Sequence, residues 1–230
     1  FEARKRRIMG RHKFANHQFP AFKGDTFQTN STILVPSQYS PIIMFIGTHN
    51  DGDIAGNSAD FFYGRNYFWP VWRSLLNIPG VVNGPKGRRE HNMTEIPLYG
   101  VENSIYNICK LGMMTFADLV FEVDGNLNNH HDEDIPKAGA IRWATDEIID
   151  FLRSTPSIRF VYATRQMENA APWNGQWDKI VNSMSDRDVT FGCIHTPSGN
   201  GAGIGPRREA LEQRWLRQIS AAYLYEVGIK

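Results

Sequence analysis

A chain of 230 residues, 41% hydrophobic and 12% aromatic, can bury a sizeable core and fits one large domain. No run approaches the roughly 20 apolar residues of a membrane span, and no signal-peptide pattern opens the chain, so an intracellular protein without membrane contact is expected. Two cysteines, Cys109 and Cys193, exclude a disulfide framework and a four-thiolate cluster, while a net charge of +1 conceals a local asymmetry.

That asymmetry comes first along the chain. Arg4, Lys5, Arg6, Arg7, Arg11 and Lys13 form a dense basic run, either a solvated terminus or a contact for nucleic-acid phosphates. Residues 1–32 read as a polar, partly irregular N-terminal segment, and 33–230 as one α/β domain. The run Pro41-Ile42-Ile43-Met44-Phe45-Ile46, ending at Gly47, has the pattern of a strand buried on both faces. A loop rich in Gly, Asn and Asp follows, and then a helix over 66–76 carrying Phe68, Trp69, Trp72, Leu75 and Leu76. Residues 80–98 form a polar surface loop with a second basic cluster, Lys86, Arg88 and Arg89. A helix is predicted over 102–111, a polar loop over 125–137, a helix over 140–152 and a strand over 160–163. A further strand over 191–194 ends at His195, and a glycine-rich loop leads to a long helix over 207–223. Strands alternating with helices argue for a mainly parallel sheet covered on both faces. Ligands bind beyond the carboxyl ends of such strands. The two polar loops that leave strands directly, 47–56 and 195–205, therefore bracket one site unless both are ordinary strand-to-helix turns.

Three segments in order resemble the uracil-DNA glycosylase superfamily, nearest its mismatch-specific and hypoxanthine branches. The first is Ile46-Gly47-Thr48-His49-Asn50-Asp51-Gly52 with Phe61-Phe62-Tyr63-Gly64-Arg65-Asn66-Tyr67-Phe68-Trp69, similar to the family's catalytic loop, aromatic pair and helix start. The second, Leu111-Gly112-Met113-Met114-Thr115-Phe116-Ala117-Asp118-Leu119-Val120, resembles a Gly-x-x-x-Thr-Asp-Leu-Val stretch with one residue added. The third, His195-Thr196-Pro197-Ser198-Gly199-Asn200, resembles the family's second motif and is followed, as there, by a charged helix. The resemblance spans about Ile33 to Leu216. It implies a three-layer α/β/α fold with a central, mainly parallel four-stranded sheet. It also implies a monomeric DNA N-glycosylase that flips a base and hydrolyses its bond to the sugar, with no cofactor.

Breaking that bond leaves cationic character on the sugar and negative charge on the departing base. The site needs a group to position water, an anion near the sugar and donors for the base. Asp51 is the first candidate for the water and the cation and Asp53 the second, although Asn-Asp-Gly-Asp is also strong turn chemistry. The family carries Asp or Asn two residues after the glycine, then Pro; His49 and Asn50 stand there instead. The acid has therefore moved along the loop or is missing, and His49 or Asn50 could orient the water. The resemblance makes His195 the donor to the base's carbonyl oxygen and Asp118 a base-binding residue. It also places one of Phe61, Phe62 and Tyr63 against the flipped base, against the alternative that aromatic runs fill cores. Ser198, Gly199 and Asn200, with Arg207 and Arg208 behind them, would grip phosphates.

His130-His131-Asp132-Glu133-Asp134 lacks the spacing of a metal site, so no metal is expected. No Gly-x-Ser-x-Gly elbow appears, which removes a serine-hydrolase reading. Uracil-selective members of the family carry a bulky tyrosine just after the first motif, where this chain has Asp51-Gly52-Asp53. The resemblance thus implies room beside the 5-position of a pyrimidine, hence a hypermodified base and a role in repair or anti-phage defence. Two alternatives remain: an enzyme that processes modified bases without releasing them, and a catalytically dead reader of such bases.

Overall fold

The computed structural model describes residues 10–52, 60–64, 66–79, 96–102, 104–125, 132–198 and 207–230. In chain order these give β1 (Gly10–Arg11), β2 (Phe27–Asn30), β3 (Ile33–Pro36), β4 (Ile43–Gly47), α1 (Phe68–Leu75) and α2 (Ile105–Leu111). Then come β5 (Met114–Asp118), β6 (Val120–Asp124), α3 (Ile135–Ala138), β7 (Ala140–Trp143) and α4 (Thr145–Ser154). The chain closes with β8 (Phe160–Ala163), α5 (Trp173–Ser183), β9 (Thr190–Cys193), α6 (Arg207–Gln218) and α7 (Ala221–Glu226).

The central sheet has four strands in the order β5-β4-β8-β9, every neighbour parallel. Its residues alternate between two cores, as period-2 side chains must. Ile43, Phe45, Met114, Phe116, Phe160 and Tyr162 face one core, built with side chains of α1, α2, α6 and α7. Met44, Ile46, Ala117, Val161 and Ala163 face the other, built with α4 and α5. The result is the expected three-layer α/β/α arrangement, and it explains why β4 reads as an unbroken apolar run. On the first face, Trp215 of α6 packs its ring 5.5 Å from Phe68 of α1.

Several elements differ from the sequence-based expectation. Segment 140–152 is not one helix. Ala140–Trp143 pairs antiparallel with β6, and α4 starts at Thr145, where Asp146 and Glu147 suit the positive end of the helix. The expected helix 207–223 breaks at Ile219-Ser220, where the Ser220 N–H donates to the Tyr162 hydroxyl at 2.8 Å. β5 lies within the Leu111–Val120 segment but carries too short an apolar signal to be read as a strand, and α5 was absent from the expectation. The described part of the N-terminal segment is also ordered. β2 and β3 form a hairpin, β1 pairs with β6 to make a second sheet, β1-β6-β7, and Phe14, Phe19 and Phe27 enter the first core.

Candidate functional site

The chain leaves β4 to reach β5 on one side and later β8 on the other, so its neighbours diverge at Gly47. Crevices form at such points beyond the carboxyl ends of the strands. Gly47 is paired in register with Asp118, the last residue of β5. The Asp118 carboxylate lies across the glycine: a Cβ at position 47 would fall on Asp118 Oδ1, and the Tyr63 hydroxyl is 3.1 Å from that point. Glycine is required here by a close approach, not by an unusual backbone angle.

Tyr63 reaches this place from a backbone with φ of 55°, a left-handed conformation uncommon outside glycine. Its ring stacks on Phe68 at 4.4 Å, and its hydroxyl lies 3.4 Å from Thr164 Oγ1, just past β8. Burial, and then the negative charge of Asp118, push its pKa well above the ordinary tyrosine value. Tyr63 therefore stays protonated near neutrality and can donate.

Asp118 is held from the other side by His12. His12 Nε2 is 2.6 Å from Asp118 Oδ2, with the imidazole fully buried and the carboxylate side chain 8% exposed. The hydroxyl of Thr32 donates to the Asp118 carbonyl at 2.5 Å. The segment carrying His12 also clamps the first-motif loop. Lys13 N–H donates to Asn50 O at 2.6 Å, Gly52 N–H donates to Arg11 O at 3.0 Å, and His12 bridges Asp51.

A second carboxylate sits beside this group. Asp132 accepts from the Thr48 hydroxyl and from Arg165 Nη1, each at 2.5 Å, and Arg165 in turn lies over the Trp173 ring. Burial raises the Asp132 pKa; the Thr48 hydroxyl and the Arg165 charge oppose this, and the charge of Asp118 adds to it. The carboxyl end of the sheet thus gathers Gly47, Thr48, Tyr63, Asp118, Asp132, Thr164 and Arg165 from three strand ends and two loops. Its carboxylates accept N–H groups, and its hydroxyls both donate and accept.

The other sequence candidates fall as follows. His49 Nδ1 lies 3.2 Å from Val120 O, which makes that nitrogen the donor, and its ring is 5.9 Å from His12. Asn50 is tied through its backbone to Lys13, and Asp51 is 3% exposed. Phe61 and Phe62 are buried at 0% and 1% and, like Tyr63, pack on Phe116; Phe62 lies 5.8 Å from the His12 ring, and Tyr63 brings a hydroxyl to Gly47. His195 N–H donates to Gln218 Oε1 and its carbonyl accepts from Trp215 Nε1, both at 2.8 Å. Pro197 O accepts from Tyr67 N–H at 2.9 Å, so the second-motif loop is fastened to the end of the first motif. Ser198 and Arg207 are exposed. Arg208 turns inward instead: its guanidinium meets Glu209 at 2.7 Å and Glu212 at 3.5 Å with the side chain 9% exposed, which withdraws it from phosphates. Gly52 faces Arg11 and Lys13 rather than an open pocket. Asp53, Lys86, Arg88, Arg89, Gly199, Asn200, His130 and His131 lie outside the described residues. Among the described residues no group of three His, Cys, Asp or Glu could hold a metal ion.

Sequence reasoning missed His12, Thr164 and Arg165, and gave Asp132 to an exposed loop. The signal for Thr164 and Arg165 was available, because they immediately follow an apolar strand. No family model, curated protein or solved structure matches the chain.

Proposed function

We propose that this protein is a DNA glycosylase that binds a flipped base in the crevice at Gly47 and hydrolyses its N-glycosidic bond. The observation that carries the reading is the convergence of three motifs, far apart in sequence, on one end of one parallel sheet. Gly47 and Asp118 lie side by side, and the Tyr67–Pro197 hydrogen bond joins the first motif to the segment that begins at His195. Asp118 and the protonated Tyr63 would read the edge of the base, whose N–H groups suit a carboxylate and whose carbonyls suit a hydroxyl. The loop holding His49, Asn50 and Asp51, continuing to Asp53, would supply the water and face the sugar cation. His195 would stabilise charge on the departing base. DNA would approach over Ser198, Arg207 and the basic N-terminal run. No cofactor is needed for this chemistry. The role would be repair or anti-phage defence; the packing of Gly52 on Arg11 and Lys13 and the burial of Asp51 give no support to a preference for a pyrimidine larger than uracil.

The near-complete burial of Asp51 favours the alternative, a protein that reads or processes modified bases without releasing them. One assay separates the two. Duplex oligonucleotides carrying uracil, a thymine mismatch, hypoxanthine, 5-hydroxymethyl or glucosylated pyrimidines are incubated with the protein and treated with alkali. Strand cleavage at one substrate, reduced at least 100-fold by Asp118→Leu, is the expected result. Binding without cleavage of any duplex would replace the glycosylase by the alternative.

A further inference from the structure

We infer that His12 is a positioning residue for Asp118, so that the segment 11–14 is a working part of the site. The inference rests on the glycosylase reading for its substrate, but the contact itself does not.

The tautomer of His12 follows from its two partners. Phe14 N–H donates to His12 Nδ1 at 3.2 Å, so Nδ1 carries the lone pair. Nε2 then carries the hydrogen and donates it to Asp118 Oδ2 at 2.6 Å. Both ring nitrogens are occupied and the ring is sealed from solvent, so His12 cannot touch a substrate. It can only decide where the carboxylate points. Asp118 Oδ2 is spent on this bond, and among the described residues Oδ1, lying across Gly47 beside the Tyr63 hydroxyl, takes part in no hydrogen bond. The carboxylate thus offers one oxygen to a ligand in a fixed direction, and a charge-assisted bond of this length fixes it well.

The backbone shows how this segment delivers the residue. His12 N–H donates to Phe121 O at 2.8 Å, while its neighbours bond Asn50 and Gly52. One short segment therefore ties β6, the end of β5 and the first-motif loop into a single unit. Arg11 and Lys13, which flank His12, lie where this segment crosses that loop, so the placement of the loop and the aim of Asp118 share one support.

The test compares the wild type with His12→Phe, which fills the volume without a donor, and His12→Gln, which keeps an N–H near the Nε2 position. On the duplex cleaved in the panel, His12→Phe should lower kcat about 10- to 100-fold, since small misplacements of a reacting group cost rates of this order. KM should stay within about threefold, and His12→Gln should recover most of the rate. Wild-type kcat in His12→Phe, or equal impairment in both variants, would overturn the inference. Long-range proton–nitrogen NMR of the unmodified chain supplies a readout independent of excision and of variant folding. The inference requires the Nε2–H tautomer with a slowly exchanging proton, and an Nδ1–H tautomer or a freely exchanging proton would sink it. If no duplex is cleaved, the glycosylase reading fails while the tautomer still decides the contact.

Discussion

Gly47 is the residue on which the site turns, because the Asp118 carboxylate occupies the space a side chain would need. Gly47→Ala must displace that carboxylate or the strand end, both hemmed in by His12 and Thr32. The expected cost is about 1–3 kcal/mol of stability, typical of overpacking a close contact. On the proposed glycosylase reading, any loss of duplex cleavage should exceed what that destabilisation explains. Urea unfolding and excision kinetics on the same variant check both, and a protein of unchanged stability would show that the carboxylate moves aside freely. The residue scale is also where sequence was least informative. Nothing near His12 marks it as buried, since it stands in a run of cations and its partner is 106 positions away. Phe61, Phe62 and Tyr63 read alike in sequence. In the structure all three rings pack on Phe116, and the left-handed Tyr63 carries its hydroxyl on to Gly47.

Elements carry a different lesson. The strands β4, β8 and β9 and the helices α1 and α2 were legible because each combines a strong apolar pattern with a clear stop. The hairpin β2-β3 was not, because its strands are only four residues each and three of the four in β2 are polar. Yet Phe27 is fully buried, with ring centroids 5.0 Å from Phe61 and 5.1 Å from Tyr106. Phe27→Ala should therefore cost about 3–5 kcal/mol, the usual price of emptying an aromatic core position. The shift in urea midpoint at constant slope measures it, and a loss below about 1 kcal/mol would mean the hairpin does not seal the core. The split of 140–152 has a tertiary cause as well. Ile141 and Trp143 stand two apart, a strand spacing too brief to stand out beside the helical spacing of Ile148, Ile149 and Leu152, and pairing with β6 forms the strand.

Across the whole molecule, buried tyrosines link the fold to alkaline pH. Burial pushes Tyr99 and Tyr106 up to about 12, and it drives Tyr39, Tyr63 and Tyr223 well above the ordinary value of 10.0. The folded chain holds these protons more tightly than the unfolded chain. Their contribution is complete below about pH 10 and is lost as pH rises from there through about 12. Urea midpoints should therefore be flat up to about pH 9 and fall steeply above about pH 10, with most phenolate absorbance appearing together with unfolding. Reversible ionisation of every tyrosine near pH 10 in an intact fold would contradict this burial.

The sequence by itself determined the layered α/β class, the positions of three central strands and the two loops that leave them. Continuous apolar runs and glycine stops are local signals, which burial on both faces of a sheet makes unavoidable. Tertiary structure alone decided which chemical groups meet. Asp118 faces Gly47 because β5 pairs with β4 in one register, Thr164 joins them because β8 takes the other side, and Arg165 finds Asp132 across the same end. His12 closes the group because an N-terminal segment without a strong pattern gains its order from the backbone bonds of β6 and the first loop. Side-chain geometry at a site is set by pairings between distant segments, and no local pattern encodes those.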